Sequence, residues 1–103
     1  MPGARLLKHD EQTWRVEGDI DLSSVEALLS EVDALWQQGA QRVVDLGQVK
    51  RIDSAGVALM LEWLRQAKQR NVTLRYRNVP RQMLSIATVC GVHEMLPVES
   101  APG

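Results

Sequence analysis

The sequence is poor in several things, and each shortage excludes a class of protein. It holds one cysteine, Cys90. With no partner in the chain, that thiol forms no internal disulfide and no cysteine-based metal cluster, and it suits a reducing compartment. There is no phenylalanine and one tyrosine. The longest apolar run is Val57-Ala58-Leu59-Met60-Leu61, far short of the ~20 residues that cross a bilayer. Met1 to Arg5 lacks the apolar stretch of a signal peptide, so a cytoplasmic location is expected. Charge of one sign is also lacking. Lys and Arg number 12 against 13 Asp and Glu, a net charge of -1, which speaks against a general nucleic-acid binder. No glycine-rich phosphate loop, paired histidines or nucleophile elbow occurs. His9 and His93 stand alone and read as solvated, and Cys90 reads as a small core residue. No catalytic set, metal or cofactor is expected.

What is present is one domain of 103 residues, with an ordered core of about 4–98 between Pro-, Gly- and Ser-rich ends. Leu6-Leu7 lies in a short extended stretch, and Thr13 to Glu17 alternates with the period of a strand. Gly18-Asp19-Ile20-Asp21 ends it. A first helix follows, with Ser23 as N-cap, Glu26 completing a capping box, and Val25, Leu28, Leu29, Val32, Leu35 and Trp36 on one stripe. Gly39 is placed to stop it. Arg42 to Leu46 reads as a buried strand and Gly47 to Asp53 as a loop. Ser54 to Arg70 reads as a second helix with Val57, Met60, Leu61, Leu64 and Ala67 inward. Val72 to Arg77 alternates again. Pro80 at N1 opens a third helix over Arg81 to Cys90, which Gly91 closes. Met95 to Val98 forms a last short strand or turn. The order β-β-α-β-α-β-α predicts an α/β fold with a mixed sheet of about four to five strands and helices packed on it.

The neutral total hides an asymmetry. Residues 1–62 carry 6 bases and 11 acids, whereas residues 63–103 carry 6 bases and 2 acids. The bases Arg65, Lys68, Arg70, Arg75, Arg77 and Arg81 fit either an anionic partner or membrane face, or else helix-end and sheet-edge cations.

The most informative stretch runs from Val43 to Gly56. A buried strand leads through a short connection into Asp53-Ser54-Ala55-Gly56 at a helix start. Asp53 or Ser54 there is an N-cap for the unpaired N–H groups of the first turn. Small Ala55 and Gly56 let another surface approach. The Ser54 hydroxyl sits where a phosphate can be accommodated, yet a phosphate would lie beside Asp53 and repel it. Local physics leaves both a plain cap and a neutral-to-charged switch open. Leu59 and Trp63, four residues apart at the margin of the core stripe, form either an aromatic-anchored docking patch or part of the packing against the third helix.

These segments resemble the signature of STAS domains: a strand ending Asp45-Leu46, a short loop, then Asp53-Ser54-x-Gly56. Gly18-Asp19-Ile20-Asp21 resembles the family's Gly-Glu-Leu-Asp. Within the family, Val49 to Leu61, Ala67-Lys68 and Gly91 to Pro97 are most similar to MlaB-type STAS subunits of phospholipid-transport ABC complexes. That resemblance implies a non-enzymatic accessory subunit that binds an MlaF-like cytoplasmic ATPase, peripheral to the inner membrane, and helps maintain outer-membrane lipid asymmetry. Its contact region would comprise Lys50, Arg51, Asp53, Ser54, Ala55, Gly56, Leu59 and Trp63. The same Asp53-Ser54-x-Gly56 is similar to that of anti-sigma-factor antagonists, which implies Ser54 as a phospho-acceptor for a serine kinase that is also the anti-sigma factor. A small-ligand module is a third class with no dedicated motif.

Overall fold

The computed structural model describes residues 3–37 and 39–99; of the expected frayed ends, 1–3 and 99–103, residues 1–2 and 100–103 lie outside these, whereas Gly3 and Glu99 are held by hydrogen bonds to Asp19 and Tyr76. Strand β1 (Ala4–Lys8) pairs antiparallel with β2 (Thr13–Ile20). Helix α1 (Leu22–Glu31) continues as a 3-10 turn over Val32–Leu35 and leads to β3 (Gln41–Ile52). Helix α2 (Ser54–Gln69), β4 (Thr73–Arg77) and α3 (Arg81–Val89) complete the order, followed by a 3-10 turn at His93–Met95. The sheet order is β1-β2-β3-β4, with β3 parallel to both β2 and β4. Val98 adds a single parallel bridge to Tyr76, so the expected last strand exists only as one residue's pairing.

Alternation decides which sheet face is covered. Val16, Val44, Leu46, Leu74 and Tyr76 are buried beneath the helices, whereas Thr73 and Arg75 between them are exposed. Tyr76, fully buried, donates from its hydroxyl to the Met60 carbonyl of α2 at 2.6 Å, pinning helix to sheet. Burial pushes this phenol well above its ordinary pKa. A phenol whose pKa is raised by folding keeps its stabilising effect below the unfolded value and loses it as pH climbs past that value. The Tyr76 contribution to stability should therefore be constant up to about pH 10 and fall above it. Because Tyr76 is the one tyrosine, its tyrosinate absorbance should appear together with unfolding. Smooth titration of a folded chain near the ordinary phenol value would disprove the coupling.

Four local expectations are corrected. The cap of α1 is Asp21, not Ser23: its carboxylate accepts from the N–H groups of Ser23 and Ser24, and the Ser24 hydroxyl meets the Asp21 N–H. A carboxylate two residues upstream outcompetes the hydroxyl, and the Ser23 hydroxyl, with these N–H groups, holds Asp21 below the usual carboxylate range. Gly47 to Ile52 is strand rather than loop. From Asp45 to Gln48 β3 advances three residues where β2 advances two, and Val49 to Ile52 against Gly18 to Ile20 repeats the excess. These two bulges break the period-two pattern that marks a strand. Finally, Cys90 is exposed, because α3 ends at Val89 with Cys90 as its C-cap. Pro80 is likewise the cap of α3 rather than its first residue, while Gly91 at φ +75 closes the helix as expected.

Candidate functional site

The end of β3 delivers the chain to the start of α2 beside the end of β2. Ile20 and Ile52 are register partners, and the Asp53 N–H donates to the Ile20 carbonyl at 3.2 Å. Each isoleucine is followed by the aspartate that caps the next helix, so two capped helix starts lie side by side. The Asp53 Oδ1 accepts from the N–H groups of Ala55 at 2.9 Å and Gly56 at 3.2 Å. This settles the cap in favour of Asp53 and leaves the Ser54 side chain free of that task. Ser54 is exposed, and its hydroxyl has no hydrogen-bond partner among the described residues.

Different surfaces flank Ser54. On one side a cleft of about 190 Å³ is lined by Ile20, Asp21, Arg51, Ile52, Asp53 and Gln82. Gln82 reaches it from α3 and accepts the Ile52 N–H at 3.3 Å. On the other side Ala55, Ala58, Leu59 and Glu62 of α2 meet Val25 and Leu29 of α1 around an apolar groove of about 270 Å³. The Arg65 guanidinium, with the Gln66 amide, holds the Glu62 carboxyl down to about 2. The groove's one charged wall is therefore already ion-paired.

The expected site residues separate accordingly. Arg51, Asp53, Ser54 and Ala55 cluster at the start of α2. Lys50 is exposed but opens onto another cleft, with Gly3, Glu17, Gly18, Asp19 and Gln48. Gly56 is buried, and a Cβ there would come within 2.4 Å of Ile52 Cγ1 and 2.9 Å of Ile20 Cγ2. It is glycine so that α2 can seat on the ends of β2 and β3, not to admit a partner. Leu59 and Trp63, at 2 % and 0 % exposure, are core residues rather than a surface patch. Leu59 lines the groove between α1 and α2. Sequence reasoning missed Gln82, Asp21 and the α1 wall. The repeated Ile-Asp dipeptide, Ile20-Asp21 and Ile52-Asp53, is the one signal that could have announced the pairing of the two helix starts; Gln82 arrives through tertiary structure alone.

Residues 6–97 match the family described as "Mlab, STAS domain". The chain is a STAS domain. Among curated proteins it is 22% identical over 96 residues to the anti-sigma-B factor antagonist of Bacillus subtilis (strain 168), covering 91% of this chain and 88% of that protein. Among solved structures, an anti-sigma-factor antagonist (STAS) domain protein from Planctomyces limnophilus superposes with a TM-score of 0.70 at 18% identity, covering 96% and 91% of the two chains. An anti-sigma factor antagonist from Mycobacterium paratuberculosis gives 0.69 at 20% identity, covering 95% and 85%. SpoIIAA in its unphosphorylated form gives 0.68 at 14% identity, covering 94% and 88%. At these identities the likeness carries the STAS fold: a mixed four-stranded sheet with three helices.

Proposed function

We propose that this STAS domain is a non-enzymatic docking subunit whose contact surface centres on the start of α2, with Ser54 as its controlling residue. The observation that carries the reading is the exposed, unengaged Ser54 hydroxyl at a helix start already capped by Asp53. It lies between a polar cleft and an apolar groove. A partner surface covering this point meets a neutral hydroxyl, the Arg51 side chain, and small apolar Ala55 and Ala58. Gly56, Leu59 and Trp63 support the surface from beneath, and Lys50 stands at its edge.

The MlaB-type character of the matching family favours the cytoplasmic ATPase of an Mla-type phospholipid-transporting ABC complex as partner. The domain would then be peripheral to the inner membrane through that subunit and contribute to outer-membrane lipid asymmetry. A second reading, an anti-sigma-factor antagonist, is favoured by the curated relative and by SpoIIAA, whose structure is also known in the phosphorylated form. Ser54 would then accept phosphate from a serine kinase acting as anti-sigma factor. In both cases a negative charge at Ser54 is unfavourable beside Asp53, and burying it unpaired under a partner costs several kcal/mol.

Affinity purification of the tagged chain from solubilised membranes tests this. Wild type should bring down an ABC ATPase, and Ser54→Glu should cut its recovery about tenfold or more, equivalent to at least ~1.4 kcal/mol of binding. Ser54→Ala should retain it. Recovery of a serine kinase, with stoichiometric phosphate on Ser54, selects the second reading. Equal recovery of any specific partner by Ser54→Glu and wild type would remove Ser54 from the interface.

A further inference from the structure

The sheet face turned away from the helices has a concavity of its own, remote from Ser54. Across β2, β3 and β4 the outward residues line up in rows. Gln41 stands opposite Thr73, Val43 opposite Thr13 and Arg75, and Asp45 opposite Arg15 and Arg77. Over these rows lies a cleft of about 180 Å³ whose polar walls include Gln41, Arg42, Thr73, Arg75, Arg77 and Glu99. That is the liquid volume of about six waters, enough for one small hydrated ligand. The Arg75 and Arg77 guanidinium groups face it, with the Glu99 carboxylate.

Arg42 is locked: its Nε donates to the Leu35 carbonyl, and its terminal nitrogens donate to the carbonyls of Glu11 and Gln41 and to the Gln37 side chain. Its guanidinium is spent away from the outward rows, on the side where Arg42 stands opposite the buried Leu74. Arg77 uses one terminal nitrogen on Glu99, at 3.1 and 3.3 Å from the two carboxylate oxygens. Its remaining donors stay available. Arg75, one pleat below Arg77 on the same strand, is exposed and has neither ion pair nor hydrogen bond among the described residues. Its whole five-donor fork is unused. Beyond the cleft the field is cancelled. Arg15 pairs with Glu17 at 3.0 Å, and the Asp45 carboxylate takes the Gly47 N–H and the Asn78 amide. The unengaged Arg75 fork thus sits over a space of single-anion size, with paired charges in the neighbouring row.

We propose that this cleft binds a phosphate-type dianion, with Arg75 as the bidentate donor and Arg77 shared between the ligand and Glu99. The planar guanidinium fork matches two oxygens of a tetrahedral oxyanion, and the neighbouring Thr73 hydroxyl and Gln41 amide can serve the others. Glu99, held beside the edge of β4 by the hydrogen bonds between Tyr76 and both Pro97 and Glu99, acts as a resident competitor. The shared chemistry is the phosphate monoester or inorganic phosphate, whether free or as the headgroup of an anionic lipid.

Titration of the ¹⁵N-labelled full chain with inorganic phosphate at constant ionic strength tests the site. The Arg75 side-chain N–H and the amides of Thr73 and Gln41 should shift saturably to a single-site isotherm, and chloride should not reproduce it. Loss of charge-assisted hydrogen bonds in Arg75→Gln should weaken binding about tenfold or more, with Arg75→Lys recovering part. Glu99→Gln should tighten it, and Ser54→Glu should leave it unchanged, which separates this site from the docking surface. A second arm uses phosphatidylcholine vesicles with and without phosphatidic acid. Retention by the acidic vesicles that Arg75→Gln abolishes assigns the site to a lipid headgroup; phosphate binding without retention assigns it to a soluble phosphate. A titration with no saturation, or one identical in Arg75→Gln, overturns the proposal.

Discussion

Gly18→Ala should cost this domain at least about 3 kcal/mol, measured by chemical denaturation, from two causes that add. Gly18 has φ +104, a backbone conformation that side chains rarely adopt. A Cβ there would also lie 2.0 Å from the Gly3 carbonyl oxygen and 2.9 Å from Ala4 Cα. That carbonyl accepts the Asp19 N–H at 2.9 Å, and Ala4 is the register partner of Gly18. The methyl group therefore has to displace β1 itself, which no rotamer change avoids. Gly91→Ala is the matched control: φ is +75, but nothing lies within 4 Å of the added carbon. Only the strain remains, about 1 kcal/mol. Equal losses in the two variants would show that contact with β1 contributes nothing.

Trp63→Ala should remove about 3–5 kcal/mol, a large share of the 5–15 kcal/mol typical of a domain. Trp63 is fully buried at the centre of α2, in the same core as Met60, Val44 and Tyr76. The thermal midpoint should fall by about 12 °C or more at 4–8 °C per kcal/mol. A surface anchor would behave in the opposite way, weakening a complex while leaving the isolated domain's melting unchanged. A calorimetric scan of the free chain therefore separates the two roles, and an unchanged midpoint would return Trp63 to the surface.

The element order was legible in the sequence because each helix and most strands carry an unbroken period. β4 alternates cleanly from Thr73 to Arg77, and α2 repeats apolar residues from Val57 to Ala67. The second half of β3 was not legible: its bulges interrupt alternation, and Gln48, Lys50 and Arg51 look like loop because that stretch pairs only with β2. The buried arc of α2 is wider than one stripe because α1 packs on one flank and α3 on the other, which draws Leu59 and Trp63 inside. In the candidate site, Asp53 and Ser54 were readable from local capping chemistry. Gln82 and the α1 side of the groove depend on distant segments meeting, and no spacing within the chain announces that.

The first edge strand, β1, has a cover that reaches it from a helix. The outward N–H of Leu6 donates to the Glu31 carboxylate at 2.7 Å. At the opposite edge Tyr76 already exchanges hydrogen bonds with Pro97 and Glu99. Each margin of the sheet is thus blunted by a different device, one side chain and one returning main chain, where an invading strand would need free backbone groups. Strand addition is thereby opposed at Leu6 on one side and at Tyr76 on the other. On the proposed reading, the surfaces left for a neighbour are the helix starts beside Ser54 and the outer face of the sheet, which lie on different parts of the fold.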